Sequence, residues 1–470
     1  MPRYSVFEYD EVKYALTDNK EKIEDNTLYL KENSLSYLEN LEEKKIAIIY
    51  RNKIKFQNYI GVISFDNITI EILPKFLKNN IDANSIDIET RRNIYFNLIR
   101  MLEYSKWWEM SIKEIELAEF KEKDLSDFFE IFIYLFAKNL VDLLKKTRDY
   151  SYIRKFDELK FVKGKFDFRK YWNPARYHII PCIYHERSIN TIINRLLKYT
   201  SYILLKKSKV SKNIKYLKEV CSLLDPVPVS SVSLGEVKNL TYNRFNLCFK
   251  PYVEICKTFL KNSVITFREG GEENYIKFFS FLIPMEKLFE KFISEAFNEI
   301  IEELNKKSGN KYEILIQEPC GYLLRNNNKC LFELIPDIVI KKIKKENGLK
   351  KELIIIDTKY KLLKEDSKEE GTELEENLIK KVSQQDLYQI YAYCKEIRYD
   401  FADKDSINVK GVLLYPQEIN SDREINEFYK LGKEGIDLRI RSIPLNNIFE
   451  EDTLKLNENF KETLRDIIEN

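Results

Sequence analysis

The apolar positions in the first 80 residues predict strands. Short runs of β-branched and aromatic residues alternate partly with polar residues, a pattern typical of strands. The clearest runs are 45–50, 54–60 and 68–73. Pro74 ends the last run, and the polar stretch 78–85 is predicted to be a linker. The pattern therefore predicts a β-rich N-terminal domain over residues 1–85.

From about Arg91 the apolar spacing becomes helical. Residues 94–108 and 128–144 each present an apolar face, and a further helix is predicted over 188–205. A mixed stretch near 150–185 interrupts this periodicity. We predict a mainly helical, partner-binding middle region over residues 86–280, which contains a basic β segment near 150–185.

The last third of the chain has the most regular pattern. Pro284 suits the first position of a helix, and the apolar residues from Met285 to Ile300 follow the helical spacing closely. The elements predicted after it are strands at 312–317, 331–340 and 353–356, a helix at 383–397, a strand at 409–415, a helix near 422–431 and a strand at 436–443. This order predicts a mixed sheet flanked by helices over residues 281–470. The predicted fold class is thus a multidomain α+β and α/β protein.

The composition excludes several kinds of chemistry. The 470 residues include 12 Gly, and no phosphate-binding loop motif can be drawn from them. Two His and seven scattered Cys without a Cys-x-x-Cys pair disfavour zinc sites and histidine-dependent triads. Carboxylates and lysines are therefore the expected catalytic groups.

The same composition bears on location. Hydrophobic residues make up 44% and charged residues 33% of the chain, which favours folded domains over disorder. No uncharged apolar stretch reaches the length of a membrane span, and the N-terminal residues lack the layout of a signal peptide. Scattered cysteines fit reduced thiols. We expect a cytoplasmic protein without a membrane partner.

Two aspartates and a lysine form the main candidate site. Asp337 is predicted inside one apolar strand, Asp357 closes the next, and Lys359 follows two residues later. If these strands pair, two carboxylates and an ammonium converge. Carboxylate oxygens are the ligands that Mg²⁺ prefers, and Mn²⁺ suits the same set. A bound divalent cation and a nearby lysine can cut phosphodiesters. The alternative is a structural ion pair, because acid-x-base triplets are common in so charged a chain.

Two helices offer further candidates. Glu286 and Glu290 share one edge of the predicted helix, where either could add a third metal-binding carboxylate or simply face solvent. On the later helix, Gln385, Gln389 and Tyr393 form a polar stripe. Gln389 and Tyr393 could bind phosphate or orient Lys359, or the stripe could be an ordinary boundary.

A basic and aromatic segment is the candidate DNA contact. Residues 145–177 hold 11 Lys or Arg against 4 Asp or Glu, with nine aromatic residues among them. Cations contact phosphates and aromatic rings stack on bases, although a lysine-rich composition and a buried aromatic core are the alternative. The candidate DNA-binding residues are Lys163, Lys165, Arg169 and Lys170.

A polar group on the helix predicted at 188–205 has two possible functions. Asn194 and Lys198 are four residues apart and share a face, with Asn190 and Arg195 nearby. They could fasten the helix to the core or contact a partner.

Several colinear motifs resemble the McrC family, the nuclease subunit of McrBC-type restriction systems that act on modified DNA. These motifs are Gly61-Val-Ile, Ile70-Glu-Ile-Leu-Pro-Lys75, the helix 93–104, Val162-Lys-Gly-Lys-Phe-Asp-Phe168, Asn194-Arg-Leu-Leu-Lys198, Leu288-Phe-Glu290, Asp357-Thr-Lys-Tyr360, Gln385-Asp-Leu-Tyr-Gln389 and Gly411-Val-Leu-Leu-Tyr-Pro416. Each motif is short, and the set is specific because its order is kept through most of the chain.

The resemblance implies a C-terminal PD-(D/E)xK nuclease fold that cuts double-stranded DNA. Asp337, Asp357 and Lys359 fall on its catalytic positions, and Glu290 is preferred to Glu286 as the helix carboxylate. It also implies a partner, an McrB-like AAA+ GTPase in a hexameric ring, which such proteins cap and stimulate. The acidic loop 364–377 looks longer than the family pattern.

The predicted function is a Mg²⁺-dependent endonuclease subunit driven by that partner. The rival is an adaptor, a GTPase-activating cap whose nuclease fold has lost its chemistry. A third possibility is a nuclease that acts with another motor or with none. The intact Asp337, Asp357 and Lys359 set disfavours the adaptor.

Overall fold

A computed structural model of the chain describes residues 3–65, 68–77, 83–107, 128–168, 170, 178–230, 232–261, 264–266, 275–307, 309–326, 329–343, 351–363, 382–400, 407–417, 424–433, 435–446, 448–451 and 453–469. These residues form two compact units. Unit 1 comprises the described residues of 3–107 and 282–469, and unit 2 comprises those of 128–281. The division of the chain into domains at 1–85, 86–280 and 281–470 stays a prediction.

The N-terminal part of unit 1 is rich in strands, as predicted. Its strands are β1 (Arg3–Phe7), β2 (Glu11–Leu16), β3 (Lys22–Glu24), β4 (Thr27–Leu30), β5 (Ala47–Tyr50), β6 (Lys53–Phe56), β7 (Tyr59–Ser64) and β8 (Thr69–Leu73). One sheet has the order β3-β4-β2-β6-β5, and β8 pairs with β1 in parallel and with β7 in antiparallel fashion. Helix α1 (Glu32–Glu43), which the sequence pattern did not predict, lies between β4 and β5 in the chain. Helix α2 (Ile88–Tyr104) begins after Asp87, whose carboxylate accepts the Thr90 N–H at 2.8 Å.

Unit 2 is mainly helical with a three-stranded ribbon. Its elements are α3 (Phe128–Lys146), β9 (Ser151–Leu159), β10 (Lys165–Phe166), β11 (Ile180–Ser188), α4 (Ile192–Lys207), α5 (Ser211–Leu223), α6 (Leu234–Lys238), α7 (Lys250–Lys261), β12 (Val264–Thr266) and β13 (Tyr275–Pro284), whose last three residues belong to unit 1. Strands β10, β11 and β9 form an antiparallel sheet in that order. This ribbon is the basic β segment predicted near 150–185.

Asn194 and Lys198 fasten helix α4 to neighbouring backbone within unit 2. The Asn194 amide donates to the carbonyl oxygens of Asp149 (2.8 Å) and Ile189 (2.7 Å). The buried Lys198 ammonium donates to the carbonyl oxygens of Asp225 (3.1 Å) and Val227 (2.6 Å). These contacts support the first of the two alternatives for this polar group, attachment of the helix to the core.

The C-terminal part of unit 1 is built on a six-stranded mixed sheet. Its elements are α8 (Met285–Lys307), β14 (Lys311–Ile316), β15 (Gly321–Asn326), β16 (Lys329–Leu334), β17 (Ile338–Ile343), β18 (Lys351–Thr358), α9 (Gln384–Asp400), β19 (Ile407–Gln417), β20 (Asn426–Leu431), β21 (Ile436–Pro444) and α10 (Glu458–Glu469). The sheet order is β14-β17-β18-β19-β21-β20. Pairing is antiparallel from β14 to β18, parallel from β18 through β19 to β21, and antiparallel between β21 and β20. The predicted mixed sheet with helices is confirmed.

Three local predictions in this region were wrong. The helix predicted near 422–431 is strand β20, because Asn426–Leu431 pairs along β21 and Phe428 and Tyr429 suit a strand. The single strand predicted at 331–340 is broken, since Pro336 lacks the N–H that a continuous ladder needs. Pro284 ends β13, and helix α8 begins one residue later at Met285.

Helix α9 packs closely on the sheet. Its Ile390 and Cys394 belong to the same buried cluster as Leu353 and Ile355 of β18 and Leu413 of β19. The sheet residues in this cluster alternate along β18, as the pleat of a strand requires. A Cβ at Gly411 would lie 3.0 Å from Ile390 Cγ1 and 3.1 Å from Cys394 Sγ. Glycine at this position therefore allows the helix to approach β19.

We expect Gly411→Ala to lower the free energy of unfolding by about 1–3 kcal/mol, because the added methyl overpacks the contact between helix α9 and strand β19. Urea denaturation of the variant and the wild type measures this difference. Gly309→Ala is the matched control, since a Cβ there meets no atom within 4 Å. Equal stability of the two glycine variants would contradict the close approach at Gly411.

Candidate active site

The pairing of β17 with β18 brings the two predicted aspartates together. In this antiparallel pair Ile338 lies opposite Ile356, so Asp337 and Asp357 occupy neighbouring positions just beyond that pair. Asp337 lies immediately before β17 and not inside a strand, which corrects the prediction for this residue. Alternation places Asp357 on the same sheet face as Ile355, the face that helix α9 covers.

Thr358 fixes the Asp337 carboxylate. Asp337 Oδ2 accepts hydrogen bonds from the Thr358 N–H at 2.7 Å and from the Thr358 hydroxyl at 2.6 Å. Two donors on one oxygen set the direction of the carboxylate and leave Oδ1 for other ligands. Sequence reasoning missed Thr358, although it occupies the middle position of the Asp357-Thr-Lys359 triplet.

Asp357 is a buried acid beside a second acid. Only 1% of the residue is exposed. Burial raises the pKa of Asp357 to about 7, with Lys359 opposing the shift and Asp337 adding to it. The Lys359 ammonium lies 2.6 Å from Asp357 Oδ2, and the two groups form an ion pair. The surroundings of Asp357 therefore favour its protonated, neutral form unless positive charge is added.

Gln389 and Tyr393 hold Lys359 in place. The Lys359 ammonium donates to Gln389 Oε1 at 2.9 Å, and the Gln389 amide donates to the Tyr393 hydroxyl at 2.7 Å. Burial raises the pKa of Tyr393 to about 12, so this hydroxyl stays protonated. Gln385, one turn earlier on helix α9, is exposed. Of the interpretations of the polar stripe, this geometry supports the one in which Gln389 and Tyr393 orient Lys359.

Glu290 faces the aspartates from helix α8. Its pKa is raised by burial and then by the charge of Asp337. The Gln317 amide donates to Glu290, and the Gln317 N–H donates to the Asp337 carbonyl oxygen at 3.0 Å. Gln317, which sequence reasoning also missed, thus bridges the helix and the residue before β17. Glu286 is exposed, and its charge contributes to the raised pKa of Glu290 after burial and the charge of Asp337.

The charge balance of this cluster suits a divalent cation. After burial, the charge of Asp337 adds to the raised pKa of both Asp357 and Glu290, which means that its carboxylate repels each of the other two. Within the described ranges, no three His, Cys, Asp or Glu side chains converge into a ready-made metal cage. Mg²⁺ does not need such a cage, because it usually binds one or two carboxylates and keeps several waters. Asp337 and Asp357 fit that requirement, and Glu290 is the third candidate.

Three of the candidate DNA-binding residues lie in or beside the ribbon of unit 2, with Lys165 in β10. Lys163, Lys165 and Lys170 are exposed, and Arg169 lies outside the described residues, as does the acidic loop 364–377. Lys163 also covers the Tyr184 ring, with its ammonium 3.9 Å from the ring centroid. Exposed aromatic residues accompany these lysines on the ribbon, namely Tyr152, Phe156, Phe161 and Phe168.

The fold and the site define a multidomain α/β protein with a carboxylate–lysine cluster at the ends of two sheet strands. The model of the family described as McrBC 5-methylcytosine restriction system component matches residues 54–416. This match spans more than half of the chain, and the chain therefore belongs to that family. The membership confirms the resemblance drawn from the sequence motifs.

One solved structure shows the same fold. A chain in the refined half-complex from the tetradecameric assembly of Thermococcus gammatolerans McrB AAA+ hexamers with bound McrC is 20% identical, with a TM-score of 0.65. That match covers 99% of this chain and 100% of the other. A chain in the cryo-EM structure of the Thermococcus gammatolerans McrBC complex is 21% identical with a TM-score of 0.49, over 64% of this chain and 88% of that one. No curated protein matches the chain.

The helices give one further finding. None of those in the described ranges combines the length and the apolar composition that a membrane-spanning helix needs.

The raised pKa of Asp357 predicts a pH dependence of stability. Between its ordinary pKa of 3.8 and about 7, the folded state keeps a proton that the unfolded state has released. Raising the pH through this window therefore lowers the free energy of unfolding, by at most about 1.4 kcal/mol per pH unit. In metal-free buffer, Asp357→Asn should remove this contribution. Urea denaturation of both proteins from pH 4 to 7 measures it, and parallel stability curves would contradict the assignment.

Proposed function

We propose that this chain is the endonuclease subunit of an McrBC-like, modification-dependent restriction complex, which cleaves phosphodiester bonds of double-stranded DNA with Mg²⁺. The observation that carries the proposal is the convergence of Asp337, Asp357 and Lys359 at the ends of two paired strands. The mixed sheet, antiparallel on one side of β18 and parallel on the other, suits the PD-(D/E)xK nuclease fold proposed for residues 281–470.

Asp337 and Asp357 would hold the cation, with Glu290 as an additional carboxylate. When bound, Mg²⁺ or Mn²⁺ would lower the pKa of a water molecule and stabilise negative charge on the phosphoryl group. Thr358 keeps Asp337 directed through two hydrogen bonds. The burial of Asp357 excludes competing water from its carboxylate, which strengthens its attraction to a positive charge.

Lys359 would assist the attacking water. Its ammonium can orient that water by hydrogen bonding and can neutralise charge that develops on the phosphate. Gln389 fixes the ammonium, and Tyr393 fixes the amide of Gln389. This chain of hydrogen bonds keeps Lys359 in a single direction before the DNA arrives, which lowers the entropy lost when the DNA binds in a reactive position.

The partner in this proposal is a hexameric AAA+ GTPase ring. In the structure from Thermococcus gammatolerans, McrC is bound to McrB AAA+ hexamers. We infer that this chain binds an McrB-like ring in the same way and stimulates its GTP hydrolysis. The 12 glycines of this chain form no phosphate-binding loop motif, so the ring would supply the nucleotide-driven motor.

The exposed lysines Lys163, Lys165 and Lys170 of unit 2 remain candidate DNA contacts, together with Arg169. The cytoplasmic location stays a prediction.

We expect Asp357→Ala to abolish Mg²⁺-dependent cleavage by the complex and to leave stimulation of GTP hydrolysis unchanged, because the substitution removes a metal ligand. Plasmid cleavage and GTP turnover with the cognate ring measure the two activities. Asp466→Asn is the control, since Asp466 is a structural carboxylate paired with Arg439 and Arg441. Undiminished cleavage by the Asp357 variant would disprove the site. Stimulation of GTP hydrolysis without any cleavage by the wild type would favour the adaptor.

We expect Lys359→Met to reduce the cleavage rate by on the order of 100-fold or more, because the water and the developing charge lose their cationic partner. Lys361→Met is the matched control two residues away, where a half-exposed ammonium pairs with Asp386 at 2.9 Å. Single-turnover cleavage with saturating DNA measures both rates. Equal rates for the two lysine variants would contradict the function assigned to Lys359.

A further inference from the structure

A buried cluster lies directly behind the strand end that carries Lys359. We define this Tyr360 cage as Glu8, Tyr9, Lys75 and Tyr360, all in unit 1. Glu8, Lys75 and Tyr360 are at most 6% exposed. Glu8 follows β1, Lys75 follows β8, and Tyr360 follows Lys359, so the cage connects the N-terminal strands to the candidate active site.

Lys75 holds the backbone of Tyr360. Its ammonium donates to the Tyr360 carbonyl oxygen at 2.7 Å. The same ammonium lies 4.1 Å from the ring centroid of Tyr360 and 4.5 Å from that of Tyr9, which adds cation–π attraction on both sides. The position of the ammonium, and with it that of the carbonyl, is thereby fixed by three groups.

Glu8 holds the other end of Tyr360. The Tyr360 hydroxyl donates to Glu8 Oε2 at 2.7 Å, and the Lys75 N–H donates to the same oxygen at 3.1 Å. The Tyr360 ring also packs on Phe289, the residue before Glu290, with 6.1 Å between the ring centroids. Tyr360 is therefore fixed at its carbonyl, its ring and its hydroxyl.

These contacts bear on Lys359 because the chain leaves the sheet at this point. Strand β18 ends at Thr358, and the Lys359 N–H makes one further bond to the Leu414 carbonyl oxygen at 2.8 Å. The Lys359 carbonyl oxygen accepts from the Lys361 N–H at 2.8 Å, and the carbonyl after it, that of Tyr360, is the one that Lys75 holds. Lys359 thus lies between two backbone anchors, one in β19 and one in the Tyr360 cage.

Burying the charged Lys75 ammonium at this position costs desolvation free energy. Burial lowers the pKa of Lys75 to about 8, although the charge of Glu8 opposes the shift. Buried charge pairs seldom stabilise a protein more than apolar side chains of similar size. A methionine at position 75 would fill the same space, but only a hydrogen-bond donor can bind the Tyr360 carbonyl oxygen.

We propose that Lys75 is a positioning residue for Lys359, which acts by fixing the Tyr360 carbonyl so that the Lys359 side chain leaves β18 towards Asp357 and Gln389. The inference rests on the proposed nuclease function. It assigns to the N-terminal strands a direct part in the geometry of the C-terminal site.

The test compares Lys75→Met and the double variant Glu8→Gln/Lys75→Met with the wild type, in complex with the cognate ring. The double variant removes both charges of the cage and keeps an acceptor for the Tyr360 hydroxyl, so it avoids an unpaired buried carboxylate. We expect the single-turnover cleavage rate to fall on the order of 10- to 100-fold in both variants, because the reacting groups are misplaced. DNA affinity should stay within about twofold, since Lys75 is buried and does not contact DNA.

Lys342→Met is the matched control, because Lys342 is also a buried lysine of unit 1 that lies near a carbonyl oxygen, that of Ile468 at 3.5 Å. Its cleavage rate should equal that of the wild type. Amide hydrogen exchange of the peptide around 357–361 gives a second readout independent of activity. We expect faster exchange at Lys359 and Lys361 in the Lys75 variants and no change in the control.

The outcomes separate the two proposals. Wild-type cleavage rates in both Lys75 variants would overturn the positioning function and leave the proposed nuclease intact. Unchanged exchange at 357–361 would overturn it as well, since Lys75 would then not hold this segment. A wild-type complex that does not cleave DNA would overturn the proposed function itself, and with it this inference.

Discussion

The burial of Asp357 beside a second carboxylate, that of Asp337, is the constraint on which the rest of the site depends. Asp357 is buried beside Asp337, and both effects raise its pKa, to about 7. Such an arrangement lowers stability unless positive charge is supplied. Lys359 supplies part of that charge, yet its ammonium is shared with Gln389. In the proposed function, the hydrogen bonds of Thr358 and the chain from Lys359 to Tyr393 would keep these groups in position for a cation.

Much of this site was predictable because local patterns specify it. The apolar runs next to Asp337 and before Asp357 predict two strands, and their pairing is enough to bring the acids together. The four-residue spacing of Gln389 and Tyr393 places both side chains on one helix face. Most of the order of helices and strands in the last third likewise follows from hydrophobic periodicity, but strand β15 and the division of 331–340 into β16 and β17 do not.

The remaining features depend on contacts between distant parts of the chain. Asn426–Leu431 is a strand because β21 pairs with it, and no local sequence pattern indicates that pairing. Gln317 reaches Glu290 from a position 27 residues away, and Lys75 reaches Tyr360 across 285 residues. A single sequence does not indicate which of 78 Lys and Arg residues will be buried against a given carbonyl. These residues were found only once the fold had brought them together.

The proposed site requires that Asp337 and Asp357 bind a divalent cation. Isothermal titration calorimetry of Mn²⁺ into the protein, compared with Asp337→Asn and Asp357→Asn, measures this binding. We expect a saturable site in the wild type that each substitution weakens by on the order of 10-fold or more, because each removes a negatively charged ligand. Equal Mn²⁺ affinity in all three proteins would contradict it.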